Sequence, residues 1–176
     1  MDEREQAFRR VYDEHRDGLH AFLLARTDDR EAALDLLQEV FLRAWRRLPE
    51  LADAEPNSRR YWLYAVARNL SIDRYRRRSG LMLAPLAASE EISAGGPGLE
   101  ESVVAASELA ALGRAVTELP APLREPLVMS SVGRLSSAEI GEVLGIPAGT
   151  VRYRISLARA RLARALEPCP AVGSQC

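Results

Sequence analysis

Residues 59–78 read RRYWLYAVARNLSIDRYRRR. Wound as a helix, this stretch has two unlike sides. Trp62, Val66, Leu70 and Asp73 fall on one side as a mostly apolar seam, the pattern of a helix that faces a core. Tyr61, Tyr64, Arg68, Ser71, Tyr75 and Arg78 fall on the other, spaced alternately by three and four. Arg pairs with phosphates and Tyr offers a flat face to an unstacked base, so this stripe points to nucleic acid, single strands in particular. A solvated basic face, with its Tyr rings half-buried against a neighbouring helix, fits the same spacing.

Charge is segregated along the rest of the chain. The net charge is -1 over 176 residues, yet residues 1–58 hold 9 Arg against 14 acids while residues 59–78 hold 7 Arg against 1. Residues 79–126 hold 2 Arg against 7 acids, and residues 127–176 hold 6 against 3. Two basic patches separated by acidic surface focus polyanion binding onto two places. All 24 basic residues are Arg. At 47% hydrophobic the composition is that of a globular protein of one domain or two small ones. No apolar run is long enough to span a bilayer and the N-terminus is charged, so no membrane insertion and a cytoplasmic location are expected. The two cysteines, Cys169 and Cys176, both lie in the tail, which is expected to be disordered. They offer neither a disulfide framework nor a four-ligand zinc site, and no metal or cofactor is expected.

Taken in order, residues 3–26 place Phe8, Val11, Tyr12, Leu19, Phe22 and Leu23 at helical spacing, in one or two helices. Thr27, Asp28 and Asp29 supply caps for a helix running to Leu48 before Pro49. Its core stripe is Ala33, Leu37, Val40, Phe41, Ala44 and Leu48. The opposite face holds Asp35, Gln38, Glu39, Leu42 and Arg46, where Leu42 breaks the polar pattern as a small interface core would. The segment LPELADAEPNS reads as a loop, its Asn57 and Ser58 capping the next helix beside the aromatic stripe. Residues 79–106, with SAGGPG at their centre, read as a flexible tether. A second helical module follows, with helices over 108–119 and from Pro122 or Pro126 to Val132. Gly133-Arg134-Leu135 makes a turn, Ser136 with Glu139 a capping box, Gly145 a helix stop, and the last helix spans Thr150 to Leu166. Two short helices joined by a tight turn, the second rich in Arg, make a helix-turn-helix candidate. Its last helix presents Thr150, Arg152, Tyr153 and Ser156 to base edges, with Arg154 and Arg159 among the Arg residues placed for phosphates.

At this point the sequence resembles the extracytoplasmic-function (ECF) branch of bacterial sigma factors over nearly its whole length. DLLQEVFLRAWRRL resembles the family's core-polymerase-binding helix, and SRRYWLYAVARNLSIDRYRRR its helix for melting and reading the minus-ten region. Residues 119–162, from LPAPLREP to ARARL, resemble the region that reads the minus-thirty-five element. The resemblance implies that Asp35, Gln38, Glu39, Leu42 and Arg46 grip the clamp helices of the polymerase's largest subunit. It implies that Asn57 and Ser58 take a flipped base, with Tyr61, Tyr64, Arg68, Tyr75 and Arg78 along the opened strand. It further implies that the C-terminal module sits on upstream duplex by the polymerase flap, and that an anti-sigma factor is a further partner.

The expected fold class is all-α: two small helical domains joined by a flexible linker, the C-terminal one containing the helix-turn-helix. The boundaries expected are 1–78, 79–106, 107–167 and a tail of 168–176. The expected function is promoter-specific initiation with core RNA polymerase and promoter DNA as partners. No constellation argues for an enzyme: His15 and His20 lie together without a nucleophile nearby. The alternative from the sequence is a helix-turn-helix regulator whose N-terminal half is a sensor or dimerisation module.

Overall fold

A computed structural model describes residues 2–27, 29–79 and 105–166, with the backbone alone for 105–110. Among the described residues it forms eight helices and no strand. The N-terminal half comprises α1 (Glu3–Thr27), α2 (Arg30–Arg46), α3 (Leu48–Asp53) and α4 (Pro56–Arg78). The C-terminal half comprises α5 (Ala105–Thr117), α6 (Ala121–Ser131), α7 (Ser137–Leu144) and α8 (Ala148–Leu166). The expected tether lies almost wholly outside the described residues, as does the tail with Cys169 and Cys176; Ala105 and Ala106, expected in the tether, open α5.

Local chemistry accounts for the helix ends. Asp29 caps α2 by accepting from the amides of Glu31 and Ala32 at 3.0 and 3.2 Å. The expected core stripe of α2 is buried throughout, with Ala33, Val40 and Ala44 fully enclosed. The expected loop after it is instead the short helix α3, because Pro49 sits in its first turn, where a missing N–H costs nothing. Asn57 and Ser58 are likewise inside the first turn of α4, opened by Pro56, and do not cap it. Arg59 ties the two helices together by donating to the carbonyls of Leu51, Ala52 and Ala54 at 2.7, 3.1 and 3.0 Å.

In the C-terminal half the turn chemistry is as the sequence expects. Ser136 and Glu139 form a reciprocal capping box, the Ser136 amide donating to Glu139 Oε2 at 2.7 Å. Gly145 ends α7 at φ 72°, and the Ile146 amide folds back to the Gly141 carbonyl at 3.0 Å. A Cβ at Gly141 would come within 2.6 Å of the Ile146 carbonyl oxygen, so the helix-turn-helix closes only around a glycine. Val151, Ile155 and Ala158 bury the inner face of α8, while Ala165 and Leu166 at its end are exposed.

The halves are not independent bodies in this conformation. α1 packs along α6, and α4 touches α7. Arg26 donates to Glu125 at 2.5 Å and to the Ser71 hydroxyl at 2.8 Å. Arg60 donates to the carbonyl of Arg134 at 2.8 Å and lies 3.9 Å from Glu139. Arg134 itself holds a left-handed φ of 55° in the turn between α6 and α7. Burial pushes the Glu125 carboxyl above the usual range, with Arg26 pulling the other way. Burial also raises the Glu139 carboxyl, but its Ser136 hydrogen bonds and Arg60 outweigh that and hold it low.

His15 is buried on α1, and burial lowers its pKa from the ordinary value of 6.5. Glu14 acts in the opposite sense; Arg60 and Arg59 add to the lowering. A histidine kept neutral in the folded chain binds its proton more readily when unfolded. Its contribution to stability is therefore intact above 6.5 and declines as the pH falls below that value. Thermal melts should show Tm falling from about pH 7 to about pH 5.5, with His15→Gln showing a shallower fall over that interval.

Candidate nucleic-acid and partner interfaces

Three surfaces carry the residues singled out in the sequence. The first is the outer face of α2. Asp35, Gln38, Leu42 and Arg46 are exposed and Glu39 is half-buried, with Leu42 at 52% exposure in their midst. Glu39 is held by Arg43 one turn on, at 2.9 Å. An aliphatic side chain this open, ringed by polar groups, has an apolar centre and a polar rim ready for a partner. Beside it an open groove of about 680 Å³ runs between α2 and α4, lined by Leu36, Leu70, Arg43, Arg74, Arg77 and Arg78 together with Glu39.

The second surface is α4. Asn57, Ser58, Tyr61, Tyr75 and Arg78 are exposed, the two rings at 40% and 45%. Arg68 is half-buried, and burial together with the nearby Arg26 lowers its pKa, while Glu125 and Tyr61 oppose the shift. Tyr64 departs from the expected stripe: it is buried at 1% exposure. Its ring meets Phe22 with centroids 5.4 Å apart, and its hydroxyl lies where a Cβ on Gly18 or Gly133 would have to go. Burial pushes that hydroxyl well above the usual tyrosine range. The helix also faces its core through Leu63, Ala67 and Leu70, while Trp62 and Val66 are half-buried and Asp73 is exposed. The inner face is thus turned by about one residue from the sequence expectation, because α1 also covers α4 along Tyr64 and Ser71, through Phe22 and Arg26, and Gly133 of the C-terminal half closes on the Tyr64 hydroxyl. Cover supplied by other elements is invisible to helical periodicity within one helix.

The third surface is the start of α8. Arg152, Tyr153, Ser156 and Arg159 are exposed and Thr150 and Arg154 half-buried, with Tyr153 at 67% the most open large hydrophobic side chain among the described residues. No acid lies on this helix, so its outward side is cationic from first turn to last. Among the described residues no group of His, Cys, Asp or Glu could hold a metal ion, and no described helix is long and apolar enough to cross a membrane.

Residues 11–80 match the Sigma-70 region 2 family and residues 109–162 the Sigma-70 region 4 family. The ECF RNA polymerase sigma factor SigW of Bacillus subtilis is 31% identical over 172 residues, covering 92% of this chain and 90% of that protein. The chain belongs to the ECF sigma factors. It is accordingly an initiation factor that directs RNA polymerase to promoters. SigL of Mycobacterium tuberculosis is 33% identical over 150 residues, 85% of this chain and 83% of that protein. The fold matches the sigma factor RpoE of Bartonella quintana, solved with the anti-sigma factor NepR, at a TM-score of 0.62 and 22% identity over 93% of this chain and 96% of that one. It also matches CnrH, solved with the cytosolic domain of CnrY, at a TM-score of 0.58 and 24% identity over 93% of this chain and 89% of that one.

Sequence reasoning missed Arg26, Arg60 and Glu125, whose partners are distant in the chain, and Arg59, whose carbonyl partners lie five to eight residues back. A glycine inside a helix was a usable signal for Gly18, since a mid-helix glycine costs about 1 kcal/mol and needs a packing reason. The two tyrosines of α4 should separate in a urea titration. Tyr64→Ala should cost about 3–5 kcal/mol of stability, as expected for a buried aromatic, and Tyr61→Ala less than about 1 kcal/mol.

Proposed function

We propose that the three surfaces divide the work of initiation. The outer face of α2, through Asp35, Gln38, Glu39, Leu42 and Arg46, docks on the clamp helices of the polymerase's largest subunit. Asn57 and Ser58 hold a flipped base of the minus-ten element, and Tyr61, Arg68, Tyr75 and Arg78 follow the opened strand. Thr150, Arg152, Tyr153 and Ser156 read the minus-thirty-five duplex from the major groove, with Arg154 and Arg159 on phosphates and the module seated by the flap. The chain supplies no catalysis of its own and acts in the cytoplasm as two domains, 1–78 and 107–167, with 79–106 as tether and 168–176 as tail. Because the matched structures RpoE and CnrH were solved with NepR and CnrY, we extend to this chain an anti-sigma inhibitor that covers the same faces.

The observation that supports this reading most directly is the openness of Leu42 within a polar ring on a helix whose opposite face is fully buried. Its exposure makes it cheap to change and informative to lose. Leu42→Asp should leave Tm within about 2 °C of the parent and abolish both co-purification with core polymerase and promoter-dependent transcription by core enzyme lacking any other specificity subunit. Retained transcription by Leu42→Asp would remove α2 from the polymerase interface. Arg152→Ala and Tyr153→Ala should keep polymerase binding and change which upstream sequences are selected from a promoter library.

A further inference from the structure

The connection that carries Asn57 and Ser58 has little packing of its own. From Ala52 to Ser58 no side chain is buried, and Ala54 alone is half-buried. Leu51 before it and Leu63 after it are the nearest buried residues. No left-handed cap closes α3, because Ala54 runs on in extended conformation at φ -72° and ψ 146°. Glu55 makes no side-chain cap to α4. A segment with so few apolar contacts opens easily unless something else holds it.

Arg59 supplies that hold. Its Nε donates to the carbonyl of Leu51 at 2.7 Å, and its Nη2 donates to those of Ala52 and Ala54 at 3.1 and 3.0 Å. All three acceptors are main chain, so the bonds fix the path of the backbone. Leu51 and Ala52 lie in the last turn of α3, where carbonyls lack helical partners. The start of α3 is fixed separately, by buried Leu48 and by Arg47, whose guanidinium lies 5.7 Å from the centre of the Trp62 ring and bonds Glu50 at 2.8 Å.

We infer that Arg59 is a positioning residue for base capture: its fork sets the connection between α3 and α4 in the conformation that presents Asn57 and Ser58 together to one unstacked base. Asn57 and Ser58 touch the base, and Arg59 acts through them. A pocket for one base loses discrimination when its walls shift by about 1 Å, so the fork governs which base is accepted more than whether polymerase binds. Lysine cannot replace it, since one ammonium cannot span three carbonyls that arginine reaches from two nitrogens. This rests on the assignment of Asn57 and Ser58 to the flipped base.

The test is transcription by core polymerase with the full chain from a promoter library randomised across the upstream edge of the bubble. Asn57→Ala and Ser58→Ala first mark the position at which base preference falls. Arg59→Gln and Arg59→Lys should both weaken preference at that same position on the order of tenfold. Selection of the upstream element and co-purification with core polymerase should stay as in the parent. Hydrogen exchange should quicken over residues 51–58 in both variants, with the protection of α1 and α2 unchanged. Parental preference in Arg59→Lys, or a DNA-binding salt slope lowered by about one in Arg59→Gln, makes Arg59 a phosphate contact and overturns the inference. Parental preference in Arg59→Gln, or exchange that quickens throughout α1 and α2, overturns it as well and leaves Arg59 a residue of stability alone. If Asn57→Ala and Ser58→Ala leave base preference unchanged at every position, the assignment of the flipped base fails, and the inference with it.

Discussion

One phenol ring sets the register between the halves of this protein. Tyr64 leaves α4, rests against Phe22 of α1, and ends with its hydroxyl in a gap between two glycines from different halves. The gap exists because neither Gly18 nor Gly133 has a side chain. A mid-helix glycine is an unfavourable choice for α1 taken alone, and it is offset by letting backbone meet backbone where a larger residue would force the halves apart. Once that contact is made, α1 cannot slide along α6 and α4 cannot turn about its axis without driving the ring into main chain.

The charges around this ring are arranged for the same contact. Glu125 is the acid the C-terminal half presents to a cationic neighbourhood containing Arg26, Arg68 and Arg124. Desolvation of its carboxyl is unfavourable and the neighbouring guanidinium groups counter it, so the seam gains selectivity more than strength. The faces turned away from the seam are left to intermolecular chemistry: an acidic and aliphatic one on α2, a cationic and aromatic one on α8. Fold and function thus divide the surface between them, with α4 claimed by both.

Much of this was legible in the sequence wherever one helix decides its own fate. The inner stripe of α2, the capping box at Ser136 and the left-handed stop at Gly145 follow from periodicity and capping chemistry, which are local. Leu42 stood out for the same reason, as a violation of a local pattern. What periodicity missed is what depends on a second surface. Tyr64 sits at helical spacing with Tyr61 and Arg68, and it is Phe22 of α1, with Gly18 and Gly133 around the hydroxyl, that makes it an inward ring. The segment 48–53 reads as a loop because its proline and acids are common in turns, yet Pro49 is harmless at a helix start and Arg59 donates to the carbonyls of Leu51, Ala52 and Ala54 at and just past its end. Arg26 and Glu125 lie 99 residues apart in the chain, beyond the reach of any spacing rule.

The carboxylate of Glu139 lies on the boundary between the two halves. One oxygen completes the cap of α7 and the other faces Arg60 across the seam. Drawing Arg60 away strips a neighbour from the second oxygen but leaves the first bonded to Ser136. The helix-turn-helix of the C-terminal half is therefore anchored on its own side of the dividing line by the cap of α7.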